Sequence, residues 1–180
     1  KKSISSIIGQ TFKDWELIFL DNKSKDQSVN IVKKFKDNRI KIFRSNKYLK
    51  LYDARNLAIK KAKGSYLAYC DTDDWWMKIK LKKQLEQIEN KKFNFVFSNM
   101  YVYDQKKKTK KLYFRNIIPS GKITQYLLND YKVGILSVLM SKKIFNTRKF
   151  NKRYEIIGDF YFFLNLSLKE KFYCIQEPLV

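Results

Sequence analysis

The stretch YLAYCDTDDWW, residues 66–76, decides the fold prediction. Its first half is apolar and aromatic and follows the turn residue Gly64, which is typical of a short buried strand. Asp71, Asp73 and Asp74 come directly after that strand. Ligands of open α/β sheets bind beyond the carboxyl ends of the strands. The stretch therefore predicts a binding site at a strand end.

Two interpretations of these carboxylates stay open. Clustered carboxylates repel one another, and a divalent cation shared with substrate phosphates would compensate for their charge. Alternatively, Asp73 or Asp74 caps a helix that the pattern predicts over residues 75–90. We favour the cap for Asp74 alone and the ligand for Asp71 together with Asp73.

The rest of the chain alternates between apolar runs and helical patterns. This alternation predicts α/β architecture with a doubly wound, mainly parallel sheet and flanking helices. Beyond it, the sequence predicts a charged hairpin turn over 104–111 and a buried helix over 159–168. The predicted strands include 15–20, 39–44 and 93–103, and the predicted helices 27–35, 54–63 and 75–90.

Composition bounds the function. At 180 residues the chain is long enough for a single domain, 1–180, with a proper core. The formal charge of +22 suggests a basic module that binds nucleic acid or an anionic membrane as the alternative function. The excess is almost all lysine and is spread along the chain, so a solvated surface explains most of it and nucleic acid is the weaker partner. The absence of His excludes a His-based triad and any His-ligated metal.

The two cysteines and the hydropathy pattern indicate location. Cys70 and Cys174 lie in apolar runs without a CxxC spacing, which is typical of reduced core residues. No apolar run approaches the ~20 residues of a membrane span, and no signal peptide is visible. We predict a cytoplasmic protein, with the inner face of the cell membrane as a place where it acts.

A second polar pair follows the first predicted strand. Asp21 and Asn22 suit the edge of a base or a sugar hydroxyl, and in a doubly wound sheet they share a crevice with Asp71 and Asp73. The latter two would hold Mg²⁺ or Mn²⁺ against a diphosphate. A glycine-rich phosphate loop is absent from the sequence, so a metal rather than backbone amides would neutralise the phosphates.

Asp159 stands among apolar residues in IIGDFYFF, residues 156–163. One interpretation is a carboxylate at the helix N-terminus that complements the helix dipole. The other is a carboxylate in a dry pocket that serves as a general base. Spacing alone leaves both open.

Three blocks of the chain resemble family 2 glycosyltransferases of the GT-A fold. They are ISSIIGQTFKDWELIFLDNKSKDQS, DARNLAIKKAKGSYLAYCDTDDWW and IIGDFYFFLNLS, and they occur in the family's order and spacing. The resemblance implies an inverting transferase that moves a sugar from a nucleotide-diphosphate donor to a hydroxyl of a glycan or lipid-linked acceptor. Such enzymes build polysaccharides in bacteria.

The resemblance also implies roles for single residues. Asp73 matches the last Asp of the D-x-D motif, which binds the metal, and Asp71 matches the first, near the ribose and phosphate. Asp21 keeps the first Asp of the pair that reads the base, whereas Asn22 replaces the second. Arg55 falls in an element on the nucleotide side.

Asp159 matches the carboxylate that acts as catalytic base in inverting members. The family's first strand, which contributes to the nucleotide pocket, has no counterpart here, and members usually continue beyond the equivalent of Val180. The resemblance therefore implies a catalytic domain that is truncated at the N-terminus and at the C-terminus, with activity of this fragment alone in doubt.

Overall fold

The computed structural model describes residues 1–91 and 93–180, and its central sheet contains the quoted strand. The four strands are β3 (Tyr66–Ala68), β4 (Phe95–Asn99), β7 (Leu139–Ser141) and β8 (Phe172–Pro178). Their order is β3-β7-β4-β8, with β4 parallel to β8 and β7 antiparallel to both of its neighbours. The sheet is therefore mixed, which corrects the prediction of a mainly parallel sheet.

Two smaller sheets accompany the central one. Strand β1 (Leu17–Asp21) pairs in parallel with β2 (Ile40–Arg44). Strands β5 (Tyr101–Asp104) and β6 (Thr109–Leu112) form an antiparallel hairpin, as the charged turn predicts. In the described parts of the chain no ladder joins β1 to β3. A cavity of about 300 Å³ lies between these two strands and is lined by residues of both.

Helices cover the sheet, and two short 3₁₀ turns, Ile135–Ser137 and Lys142–Asn146, flank β7. Among the described residues no helix is long and apolar enough to cross a membrane. The helices are α1 (Lys2–Ile8), α2 (Ser28–Lys33), α3 (Leu51–Lys61), α4 (Lys80–Lys91), α5 (Thr124–Asn129) and α6 (Gly158–Ser167).

The side chains of β4 alternate between two apolar cores, one on each face of the central sheet. Phe95 packs on one face against Phe163 of α6, with the ring centroids 5.2 Å apart. Val96 points to the other face and joins the cluster of Leu81 and Leu85 from α4. Successive side chains of a strand point to opposite faces of the sheet, so a strand that is apolar throughout has helices packed on both faces. The predicted α/β class with flanking helices is confirmed.

The predicted helix over 75–90 begins later than expected, at Lys80. Residues 75–79 are held instead by distant partners, because the Trp76 N–H donates to Ser6 Oγ and the Met77 N–H donates to the Leu179 carbonyl. The buried amide of Gln10 accepts from the Leu81 N–H at 3.0 Å and so satisfies a free donor of the first turn. The predicted cap by Asp73 or Asp74 is therefore wrong.

The predicted strand over 93–103 divides at Met100. Asn99 causes the break: its Oδ1 accepts from the Met100 N–H at 2.8 Å, and its Nδ2 donates to the Phe114 carbonyl at 2.9 Å. The register with β8 also shifts between Ser98 and Asn99. The chain leaves the central sheet at this point and continues as the hairpin.

Lys80 is fully buried at the start of α4, where its Nζ donates to Gln84 Oε1 at 2.7 Å. Burial lowers the pKa of Lys80 to about 7, from 10.5 for the unfolded reference. Between these values the unfolded state binds a proton that the folded state does not, so stability rises with pH across this window. We expect Lys80 to contribute a slope of at most about 1.4 kcal/mol per pH unit.

Lys80→Met should remove this slope. Urea unfolding of both proteins at a pH near the lower and near the upper end of the window gives the free energies of unfolding. As the pH rises, the free energy of unfolding of the wild type should increase relative to that of the variant. A difference that is equal at both pH values would contradict a neutral Lys80.

Candidate active site

The turn after β3 joins Asp71 to α3. One Nη atom of Arg55 lies 3.0 Å from Asp71 Oδ2 and 3.3 Å from Oδ1, so the guanidinium contacts both carboxylate oxygens. The Arg55 side chain is largely buried, whereas half of the Asp71 side chain is exposed. The charge of Asp71 is thus compensated within the chain.

Asp73 and Asp74 differ from Asp71. Asp73 is exposed, and Asp74 is partly buried. Burial raises the pKa of Asp74 to about 6, and the negative charges of Asp73 and Asp71 add to the effect. Among the described residues neither Asp73 nor Asp74 forms an ion pair. The turn therefore carries two carboxylates without an ion-pair partner among the described residues, the exposed Asp73 and the partly buried Asp74.

This charge and the oxygen donors fit a hard divalent cation. Within residues 1–91 and 93–180 no three His, Cys, Asp or Glu side chains converge as a ready ligand set. Mg²⁺ and Mn²⁺ suit a site of one or two carboxylates that is completed by substrate phosphates and water. Asp73 is the exposed carboxylate that could serve such a site.

Asp159 is the second residue of α6 and is held by Tyr52 of α3. The Tyr52 hydroxyl lies 3.1 Å from Asp159 Oδ1, accepts from the Asp159 N–H at 3.1 Å and lies 2.9 Å from the Ile156 carbonyl. Asp159 Oδ1 also accepts from the Phe160 N–H at 2.9 Å. The carboxylate is therefore fixed in orientation by a side chain from another helix.

The surroundings of Asp159 are less dry than the sequence predicts. Ile156 and Ile157 are 86% and 54% exposed, and Asp159 itself is partly exposed. The apolar residues on its C-terminal side do enter the core, since Phe162 and Phe163 are buried. The expectation of a dry pocket is thus wrong for the N-terminal side of Asp159, where the carboxylate is accessible from solvent.

Helix α3 contacts both sequence-distant carboxylates. Tyr52 and Arg55 are three residues apart and therefore lie on one face of the helix, with the guanidinium 5.5 Å from the Tyr52 ring centroid. Tyr52 holds Asp159 and Arg55 holds Asp71. The sequence prediction missed Tyr52, because its contact with Asp159 spans 107 positions and has no local signal.

Gly158 allows the approach of Tyr52 to α6. A Cβ atom at Gly158 would lie 2.4 Å from the Tyr52 ring, closer than side chains pack. Glycine is used here because the ring crosses directly over the backbone, not because of an unusual φ angle. The glycine before the acidic residue is thus part of the same contact.

Asp21 and Asn22 have hydrogen-bond and ion-pair partners other than these residues. Hydrogen bonds from Ser24 lower the pKa of the buried Asp21 carboxyl, and the Arg44 guanidinium lowers it further. Arg44 lies 3.0 Å from Asp21 Oδ2, although no described group donates a well-directed hydrogen bond to that oxygen. The buried Oδ2 is therefore an acceptor with spare capacity.

The Asn22 amide fastens the loop before α3. Its Nδ2 donates to the Leu49 carbonyl at 2.8 Å, and its Oδ1 accepts from the Leu49 N–H at 2.9 Å and from Ser45 Oγ at 3.1 Å. In the described chain no hydrogen bond or ion pair links Asp21 or Asn22 to Asp71, Asp73 or Asp159. The crevice predicted for Asp21, Asn22, Asp71 and Asp73 therefore stays a prediction, since these residues share no direct contact among the described residues.

Comparison with known proteins places this geometry in a family. Residues 1–175 match the family described as "Glycosyl transferase family 2". The UDP-Glc:alpha-D-GlcNAc-diphosphoundecaprenol beta-1,3-glucosyltransferase WfaP of Escherichia coli is 38% identical over 100 residues, which are 56% of this chain and 40% of WfaP. WfgD of the same organism, named for the same activity, is 32% identical over 149 residues, which are 82% of this chain and 57% of WfgD. The chain thus spans about half the length of these relatives.

A solved structure shares the fold. The crystal structure of S. aureus TarS 1-349 in complex with UDP superposes with a TM-score of 0.77 at 18% identity, over 99% of this chain and 54% of that one. The mixed α/β sheets with flanking helices are thus those of the GT-A fold. Because the family match covers nearly every residue, the chain belongs to glycosyl transferase family 2.

Proposed function

We propose that the full-length protein transfers a sugar from a uridine-diphosphate donor to a hydroxyl of a lipid-linked glycan acceptor, with inversion at the anomeric carbon. One observation carries the proposal: α3 unites the D-x-D turn and Asp159 through Arg55 and Tyr52. The names of WfaP and WfgD support the donor and acceptor classes, and the UDP complex of TarS supports the nucleotide.

In this mechanism the Asp159 carboxylate removes the proton of the acceptor hydroxyl. The resulting oxygen attacks the anomeric carbon, and the bond from that carbon to the diphosphate breaks as the new bond forms. The Phe160 N–H and the Tyr52 hydroxyl, which shares its one proton between Asp159 Oδ1 and the Ile156 carbonyl, keep one carboxylate oxygen oriented, while the other faces the acceptor. General base catalysis of this kind contributes about 10²- to 10⁴-fold to a rate.

The nucleotide side belongs to the D-x-D turn. Arg55 holds Asp71 in position near the ribose and phosphates, and Asp73 would hold Mg²⁺ or Mn²⁺. When bound, this ion would supply Lewis-acid stabilisation of the departing diphosphate. Asp21 would contribute its spare acceptor Oδ2 to the base side, and Asn22 would support that side by holding the loop before α3.

We further propose that the cavity between β1 and β3 receives a strand from outside residues 1–180. Leu17 and Ile18 line one side of it and Tyr66 and Leu67 the other, so its walls are largely apolar. Arg55 and Asp71 also line it. A strand here, in the place of the family's first strand, would join the two sheets and build the nucleotide pocket next to Asp71.

A donor screen tests the function. The full-length protein is incubated with individual nucleotide sugars and Mn²⁺, and nucleotide release is measured with and without a GlcNAc-diphospholipid acceptor. We expect acceptor-dependent release from a UDP-sugar. Absence of release from every donor, together with thermal stabilisation by an oligonucleotide that salt abolishes, would instead favour the basic binding module.

Tyr52→Phe tests the positioning of Asp159. The variant keeps the ring against Gly158 and loses only the hydroxyl, so the fold and donor binding should be retained. Misplacement of a catalytic group by about 1 Å can cost about 10²-fold in rate, so we expect the less firmly held carboxylate to lower kcat by about tenfold or more. The KM for the donor should stay near the wild-type value. An unchanged kcat would contradict the positioning role.

A further inference from the structure

The β5–β6 hairpin projects from the rest of the fold. Its strands pair only with each other, and every residue from 102 to 113 is exposed. Its base is fixed, because the Tyr101 N–H donates to the Val180 carbonyl and the Tyr113 N–H donates to the Met100 carbonyl, each within 2.9 Å. The hairpin is thus fixed at its base, and its turn is exposed to solvent.

The tip is strongly basic. Lysines 106, 107 and 108 form the turn, and Lys110 and Lys111 continue along β6. Asp104 is the single acidic residue between 101 and 114, and its carboxylate accepts from the backbone N–H groups of Lys106 and Lys107. In the part of the chain that the structure describes, none of the five lysines forms an ion pair.

Apolar and aromatic side chains lie behind this charge. Val102, Tyr103, Leu112 and Tyr113 are between 38% and 54% exposed. Lysines beside exposed tyrosine and aliphatic residues match the interface of an anionic bilayer, where ammonium groups meet phosphates and tyrosine lies at headgroup level. The hairpin itself, residues 101–112, contains no arginine, the residue that contributes most to nucleic-acid contacts, and the exposed Arg115 follows it.

The same hairpin forms one wall of a cavity that reaches the D-x-D turn. This cavity has a volume of about 460 Å³ and is lined by Asp73 and Trp75 on one side and by Tyr101, Tyr103 and Lys110 on the other. The Trp75 and Tyr103 rings meet edge to face with centroids 5.6 Å apart. A surface that engages the hairpin would therefore lie next to the opening of the site.

We propose that the β5–β6 hairpin docks on anionic phospholipid headgroups and holds this cavity at the bilayer surface. The sugar of a lipid-linked acceptor would then approach the active site from the bilayer surface while its lipid remains in the membrane. The acceptor part of this inference rests on the proposed function. The docking part rests on the charge and exposure of the hairpin alone.

Vesicle binding by the full-length protein tests the docking. The triple variant Lys106→Gln, Lys107→Gln, Lys108→Gln is compared with a matched control, Lys33→Gln, Lys34→Gln, Lys36→Gln, which removes the same charge from exposed positions around α2. Each lysine near an anionic surface is worth roughly fivefold in partitioning, so the hairpin variant should bind phosphatidylglycerol-containing vesicles roughly a hundredfold more weakly. Vesicle binding by the control variant should stay close to that of the wild type, and both variants should keep the wild-type affinity for UDP.

Three results would overturn the proposal. One is equal binding of the hairpin variant and the wild type to phosphatidylglycerol-containing vesicles. Another is binding of the wild type to pure phosphatidylcholine vesicles that is as tight as its binding to phosphatidylglycerol-containing ones. The third is tighter binding to a single-stranded oligonucleotide than to vesicles, lost in the hairpin variant. Transfer to a water-soluble acceptor reports on the proposed function separately: its absence in the wild type, with hairpin-dependent vesicle binding retained, would contradict only that function.

Discussion

Replacement of Asp159 by Asn is expected to lower the rate of sugar transfer by about 10³-fold or more, because the carboxylate that accepts the acceptor proton is lost. The amide has the same size, and its oxygen can still accept from the Tyr52 hydroxyl and the Phe160 N–H. The fold should therefore survive. UDP affinity, measured by titration calorimetry, should stay near the wild-type value, since Asp159 acts on the acceptor.

The control for this variant is Glu155→Gln, which removes a nearby exposed carboxylate that pairs with Lys50 on the surface. Exposed ion pairs contribute little to stability, so Glu155→Gln should transfer sugar at nearly the wild-type rate. If Asp159→Asn also retained transfer within a few-fold of wild type, Asp159 would serve only the N-terminus of α6. If it lost UDP binding as well, the residue would belong to the donor side.

Asp73→Asn is expected to weaken the Mn²⁺-dependent part of donor binding and to lower transfer by about a hundredfold, because Lewis-acid stabilisation is worth several kcal/mol. Asp73 carries an exposed carboxylate of the turn after β3 that forms no ion pair among the described residues, whereas Asp71 pairs with Arg55. The measurement is UDP titration with Mn²⁺ and with a chelator. In the variant the two isotherms should coincide.

Glu89→Gln is the matched control, because Glu89 is an exposed carboxylate of α4 that forms no ion pair among the described residues. It should keep the difference between the Mn²⁺ and chelator isotherms. An unchanged difference in Asp73→Asn would exclude Asp73 as the metal ligand. A second titration of Asp74→Asn would then show whether the neighbouring carboxylate takes that role.

The sequence predicts the parts of the site that depend on local pattern. Asp71 follows a buried strand and Asp159 opens a helix, as the apolar runs around them indicate. The α/β class also follows, since alternation of strands and helices is a local signal. The antiparallel insertion of β7 carries no such signal, because its direction is set by a connection of more than thirty residues from β4.

The failures arise where a distant side chain replaces a local one. Gln10 satisfies the first turn of α4 from a position 71 residues away, so the search for a neighbouring cap selects Asp74 wrongly. Asn99 ends a continuous apolar run through contacts with residue 114. Tyr52 meets Asp159 across 107 positions, and no spacing rule on a single sequence reports such a contact.

Under the proposed function, helix α3 would make the two halves of the site thermodynamically dependent on each other. A displacement of this helix that separates Arg55 from Asp71 also withdraws Tyr52 from Asp159, since both side chains project from the same turn of one rigid element. A donor that fixes Arg55 would thereby reduce the conformational freedom of the catalytic base. By linkage, an acceptor that engages Asp159 would strengthen donor binding by the factor by which the donor strengthens acceptor binding. Cooperativity between two substrates would then be carried by a helix of eleven residues.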